Sequence, residues 1–150
     1  ATVGEIVALP GASNVIPGEA RLSLDVRHPD DSVRSKASEE LKQRAEEIAA
    51  ERGIALKWET VHESAAVVCD RRLTLLLENA VRRQQQEAPL LASGAGHDAA
   101  ALSASCPVAM LFVRCKGGIS HNPAESAIES DVRVAIGVMN DFLKSFSELK

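Results

Sequence analysis

A change of hydrophobic rhythm near residue 64 divides this sequence into two differently patterned parts. Before it, apolar and polar positions alternate. Leu22, Leu24 and Val26 stand against Arg21, Ser23, Asp25 and Arg27, and Ile54, Leu56, Trp58 and Thr60 stand against Ala55, Lys57, Glu59 and Val61. A period of two belongs to strands with one covered face. The opening residues to Leu9 have the same character, with apolar side chains at Val3, Val7 and Leu9, and Pro10 to Gly18 is rich in turn formers. Between the alternating runs, His28-Pro29-Asp30-Asp31-Ser32 predicts a helix start, because aspartates accept the free N–H groups there and favour the positive end of the dipole. Val33, Ala37, Leu41, Ala45 and Ile48 then recur at helical spacing as far as Gly53, a stop residue. Residues 1–64 therefore predict β-β-α-β, an antiparallel sheet covered by one helix.

After the linker-like His62 to Ala66, helical and apolar segments take turns. Asp70 predicts a cap for a helix with the stripe Leu73, Leu76, Leu77, Ala80 and Val81, ending in the polar run Arg82 to Glu87. Pro89 to Ser93 predicts a short strand, and Gly94-Ala95-Gly96 a turn that opens a helix at His97. Pro107 to Arg114 is the most apolar run and predicts a strand buried on both faces, as in a parallel sheet. The last helix carries Val132, Ala135, Val138, Met139, Phe142, Leu143 and Phe146, with Ser126 or Ser130 as its cap. Residues 65–150 thus predict α-β-α-β-α, and the fold class is α/β, an α+β portion followed by an α/β portion.

Charge narrows the partners. A net charge of -4 without a basic cluster argues against nucleic acid and anionic membranes, and the pairs Arg71-Arg72 and Arg82-Arg83 read as solvated helix faces. No apolar run approaches the roughly 18 residues of a spanning helix, and no signal segment opens the chain, so the expectation is a cytoplasmic protein acting on a small molecule or another protein. Three cysteines without paired spacing fit a reduced compartment and read as small buried hydrophobes. Cys106 and Cys115, on either side of the 107–114 run, would lie about 30 Å apart along a strand, too far to bridge. The chain opens inside a strand pattern without a methionine, which suggests a piece of something longer.

Two stretches carry chemistry. Gly117-Gly118-Ile119-Ser120-His121-Asn122-Pro123 holds an imidazole in a turn opened by glycines, which permit positive φ, and closed by proline. One ring nitrogen of His121 could take a metal while an acceptor orients the other. Gly94-Ala95-Gly96-His97-Asp98 offers a glycine turn and backbone N–H groups suited to an anion. Asn14 reads as a turn former, and Arg27 as a surface arginine whose planar fork also suits a carboxylate.

Ser93-Gly94-Ala95-Gly96-His97-Asp98-Ala99 and Gly117-Gly118-Ile119-Ser120-His121-Asn122-Pro123-Ala124-Glu125, with Pro10 to Gly18 and Leu24-Asp25-Val26-Arg27-His28, resemble the N-carbamoyl-L-amino-acid hydrolase, β-ureidopropionase and allantoate amidohydrolase group of the M20 family. The resemblance covers essentially the whole chain. It implies a larger, homodimeric enzyme of two domains, here represented in part. Residues 1–64 would be the latter part of the lid and dimerisation domain, and residues 65–150 the C-terminal part of the metal-dependent catalytic domain. The cofactors implied are two divalent ions, zinc, manganese, cobalt or nickel. His121 matches a metal ligand, Asn14 and Arg27 match lid residues that hold the substrate carboxylate, and Gly96 and His97 match a turn that touches substrate.

The implied activity is hydrolysis of a C–N bond in N-carbamoyl amino acids or allantoate, releasing ammonia and carbon dioxide. The family's other ligands and its glutamate base have no counterpart in this sequence, so no catalytic residue is assigned and the isolated chain is expected to be inactive. Two other classes compete: a non-catalytic dimerisation module, and a nucleophilic hydrolase using Cys115 or Ser120, for which the sequence supplies no spaced acid partner.

Overall fold

A computed structural model describes residues 1–147. They form two compact units, residues 1–66 and the described residues from 67 onward. The first holds strands β1 (Ile6–Leu9) and β2 (Glu19–Leu22) and helix α1 (Asp31–Glu51). The second holds helices α2 (Arg71–Arg83), α3 (Asp98–Leu102) and α4 (Glu129–Ser147), with a short 3-10 turn at Lys116–Gly118.

In the first unit β1 and β2 pair antiparallel, Ile6 opposite Leu22 and Leu9 opposite Glu19. The pairing extends to an isolated bridge between Thr2 and Asp25. Asp30 caps α1 by accepting the backbone N–H groups of Ser32 at 2.8 Å and Val33 at 3.3 Å. At the other end Gly53 takes φ +64. Its N–H reaches Ala50 O, and the next N–H, of Ile54, reaches Ala49 O, the paired closure that a left-handed residue after the helix permits. Asp31 accepts the Ala66 N–H at 3.1 Å, and Arg34 reaches Glu63 at the same distance, so the end of the unit is tied to the start of its helix.

Three expectations for this unit do not hold. Residues 54–61 form no strand, because an alternating run becomes one only when a neighbour accepts its ladder bonds, and among the described residues none does. Helix α1 does not cover the sheet: among the described elements only β1 and β2 pack together here. The half-buried face of α1 runs through Arg34, Ala37, Ser38, Ala45 and Ala49, whereas Val33, Leu41 and Ile48 are exposed.

The second unit is built on α2 against α4. Leu77, Ala80 and Val138 form its buried centre, with Val81, Ala109, Leu111, Val134 and Phe142 packed around them. Asp70 caps α2, accepting from Arg72 N at 2.9 Å and Leu73 N at 3.0 Å. Side chains cross-link the pair: Gln84 donates to Asp141 at 2.8 Å and Arg83 to Ser145 at 3.0 Å. Gly137 on α4 makes room for the first of these, since a Cβ there would stand 2.8 Å from Gln84 Oε1.

Here too the strand expectations fail. Pro107 to Arg114 and Pro89 to Ser93 run without a ladder partner among the described residues. Val108 is buried and its carbonyl accepts the Asp70 N–H at 2.8 Å, but Phe112 and Val113 are exposed. Neither Ser126 nor Ser130 stands at the N-cap of α4, the position before Glu129. The first turn opens with the acidic Glu129 and Asp131, and the Asp131 and Val132 N–H groups bond to Ile128 O. All three cysteines are free thiols, but none is buried: Cys106 is exposed and Cys69 and Cys115 are half-buried.

Candidate functional site

The turn around His121 is the most tightly specified feature. Gly117 and Gly118 take φ +65 and +70, and His121 itself takes φ +58. Positive φ costs glycine nothing and is uncommon for a residue with a ring on its Cβ. The turn is closed at its base by a bridge between Cys115 and Ala127 and by the Lys116 N–H on Ser126 O at 2.7 Å. The Ser120 hydroxyl lies 2.8 Å from His121 Nδ1. Among the described residues no side chain engages Nε2, and the ring is exposed. When Nδ1 is the nitrogen that donates to Ser120 Oγ, Nε2 carries the lone pair, the state in which an imidazole ligates a metal.

Glu125 sits beneath this turn. Its Oε2 accepts the His121 backbone N–H at 2.7 Å and its Oε1 accepts from the Cys115 thiol at 3.7 Å. Burial, and then the neighbouring Glu125 charge, push the Cys115 thiol up. It is held as a donor, which suits its place beside a carboxylate and not the part of a nucleophile.

His97 is arranged the other way round. Its Nε2 lies 2.6 Å from Ser93 Oγ, which also accepts the Ala95 N–H at 3.2 Å. His97 occupies the N-cap position of α3 but makes no side-chain cap bond, and α3 is only five residues long, so its end supplies little dipole. Gly96 has no positive φ, and a Cβ there would meet nothing within 4 Å.

In the other unit Arg27 and Asn14 are both exposed. Arg27 Nε donates to both Asp25 oxygens, at 2.8 and 2.9 Å, and Nη2 also pairs with Asp25. The shared bond lowers the Asp25 carboxyl and raises the Arg27 guanidinium. Thr2, Gly4, Ser23 and Leu24 complete an open recess around this pair. Asn14 lies outside that recess, in a turn where Val15 N–H reaches Ala12 O at 3.3 Å.

Four residues hold these groups in place without having been legible as their partners in the sequence: Ser93, Ser120, Asp25 and Glu125. Each stands within four residues of the group it holds, a spacing that a turn or strand can bring together but that carries no signal until the backbone path is known. As a metal site the donors are incomplete. His121 suits one ligand position, but among the described residues no three His, Cys, Asp or Glu side chains gather to hold an ion. Among the described residues the candidate donor is one imidazole.

Comparison with known proteins accounts for the pattern. The profile of peptidase family M20/M25/M40 matches residues 3–145. The chain belongs to this family. It is 42% identical over 152 residues to allantoate deiminase of Arabidopsis thaliana, covering 96% of this chain and 29% of that protein. With N-carbamoyl-L-amino-acid amidohydrolase of Pseudomonas sp. (strain NS671) the identity is 35% over 138 residues, 92% of this chain and 33% of that one. The crystal structure of a hydantoinase/carbamoylase family amidase from Burkholderia multivorans superposes with a TM-score of 0.89 at 33% identity, covering 96% of this chain and 35% of that chain. The α/β architecture is thus that of a partial M20 domain, and this chain spans about a third of the length of the curated relatives it matches.

Proposed function

We propose that this chain is part of a two-metal amidohydrolase that cleaves a C–N bond of N-carbamoyl amino acids or allantoate, releasing ammonia and carbon dioxide. The observation that carries the reading is His121, fixed in a left-handed turn with Nδ1 on Ser120 and Nε2 uncommitted, within a chain related throughout its length to enzymes named for those substrates. Residues 1–64 are the latter part of a lid that also forms a homodimer, and residues 65–150 the C-terminal part of the catalytic domain.

His121 would hold one of two divalent ions, zinc, manganese, cobalt or nickel, with further ligands supplied by parts of the protein beyond these residues. Bound there, the ions would activate water and polarise the scissile carbonyl. Arg27 and Asn14 hold the substrate carboxylate, Arg27 through the fork geometry that suits a planar anion. The Asp25 carboxylate already occupies that fork, so substrate shares or displaces an internal partner. His97, beside Ser93, and Gly96 belong to a turn that contacts substrate next to the metals. In this reading the isolated chain is inactive and the protein is cytoplasmic.

The test is ammonia release by the whole protein from allantoate and from N-carbamoyl amino acids, before and after chelation and on return of zinc or manganese. Activity that vanishes with chelator, returns with metal and is abolished by His121→Ala is expected. Turnover indifferent to both treatments would end the proposal.

A further inference from the structure

The most constrained main chain near the candidate ligand depends on a side chain that the proposed reaction does not use. Glu125 follows His121 by four residues, and its Oε2 is the partner of the His121 backbone N–H at 2.7 Å. Three other bonds fix where that carboxylate sits. Its Oε1 takes the Cys115 thiol at 3.7 Å, its own N–H donates to Asn122 O at 2.9 Å, and the Asn122 side chain accepts the Ala124 N–H at 3.0 Å. Meanwhile His121 stands at φ +58, a conformation uncommon outside glycine, although histidine and asparagine adopt it more readily than most residues, and one that a bond to the residue's own N–H helps to hold. Ser120 fixes the ring through Nδ1, but a hydroxyl on the ring does not set the backbone angle from which the ring projects.

We propose that Glu125 is a positioning residue whose carboxylate holds the His121 main chain in its left-handed conformation and so aims Nε2 at the metal position. The proposal rests on the reading of His121 as a ligand. The physical argument is direct. A carboxylate accepting a backbone N–H makes a charge-assisted bond, stronger than a neutral one. Without it the N–H turns to water, φ relaxes to the ordinary negative range, and the Cα–Cβ bond that carries the imidazole swings with it. A glutamine retains a carbonyl acceptor at the same reach, whereas an alanine retains none.

Two measurements on the whole protein test this: hydrogen exchange of segment 116–125 by mass spectrometry, and zinc affinity by competition with a chelator. Glu125→Ala is expected to speed exchange of one amide in that segment by about tenfold or more, with the α2 and α4 segments unchanged. Zinc affinity is expected to fall by about 10- to 100-fold, as when the support of a ligand is removed, while Glu125→Gln stays close to the parent in both. Unchanged exchange in Glu125→Ala would overturn the proposal. So would a released amide with unchanged zinc affinity, provided His121→Ala lowers affinity, and in that case the ligand reading stands. If His121→Ala leaves zinc affinity intact, the ligand reading itself fails and the positioning role with it. Should Glu125→Ala not fold, Glu125→Asp, whose carboxylate falls one methylene short of the N–H, carries the same outcomes.

Discussion

His97 and His121 each have one ring nitrogen beside a serine hydroxyl, and the nitrogens are opposite ones: Nε2 in His97, Nδ1 in His121. The two imidazoles therefore present different faces to a ligand, His97 its Nδ1 and His121 its Nε2. Arg27 is engaged as well, by Asp25. If Arg27 holds the substrate carboxylate as proposed, Arg27→Ala in the whole protein is expected to raise KM for carboxylated substrates about tenfold or more, with a smaller effect on kcat, because such a contact binds ground and transition states alike. Steady-state kinetics check this, and an unchanged KM would remove Arg27 from the site. The motifs around Asn14, Arg27, Gly96, His97 and His121 were legible in the sequence. Their partners Ser93, Ser120, Asp25 and Glu125 were not, since a contact at a spacing of one, two or four residues depends on the turn between them.

Both long capped helices lean on aspartates whose carboxyls are lowered in the fold. Bonds from Ser32 lower Asp30, and the Leu73 N–H leads in lowering Asp70. The sign follows: each cap stabilises fully above the unfolded carboxylate value near 3.9 and loses its contribution as pH falls through the lower folded value. Asp70→Asn keeps an acceptor but does not titrate, so the stability of this variant is expected to fall less steeply than the parent's between about pH 5 and pH 2, read by denaturation at each pH. In the α2–α4 contact, Val138→Ala is expected to cost about 2 kcal/mol, because it strips two methyl groups from a site only 2% exposed. Ile136→Ala, on the exposed face of the same helix, should stay within about 0.5 kcal/mol. Gly137→Ala sets helix propensity against packing. The new methyl displaces Gln84 from Asp141, so its gain of roughly 0.5–1 kcal/mol is expected only in a Gln84→Ala background, a coupling that a double-mutant cycle reads directly.

At the scale of the whole chain, the apolar pattern promises more burial than the described residues deliver. Leu77, Ala80, Val108 and Val138 are the buried hydrophobic residues, while Ile54, Leu56, Leu90, Leu91, Phe112 and Ile136 are among many large side chains left exposed. No described helix is long and apolar enough to cross a membrane. With one candidate imidazole and no cluster of three donors among the described residues, the 150-residue chain by itself is expected to take up no pair of divalent ions tightly. Calorimetric titration with manganese and zinc decides the matter: tight uptake of two ions per chain would mean that a complete site lies within these residues.

Helix caps and glycine turns, whose cause is the residue type at one position, were determined by the sequence itself. Asp30 and Asp70 cap their helices because the N–H groups they accept are two and three positions away. Gly53 ends α1 and Gly117-Gly118 open the His121 turn because those backbone angles are local properties. Tertiary structure alone decided what depends on a distant partner. The runs 54–61 and 107–114 have the composition of strands, yet a strand needs a second backbone to hydrogen-bond with, and no alternation within a run can supply one. The contacts under His121 were equally out of reach: Glu125 is only four residues on, yet only the folded turn brings its carboxylate onto the His121 N–H and the Cys115 thiol.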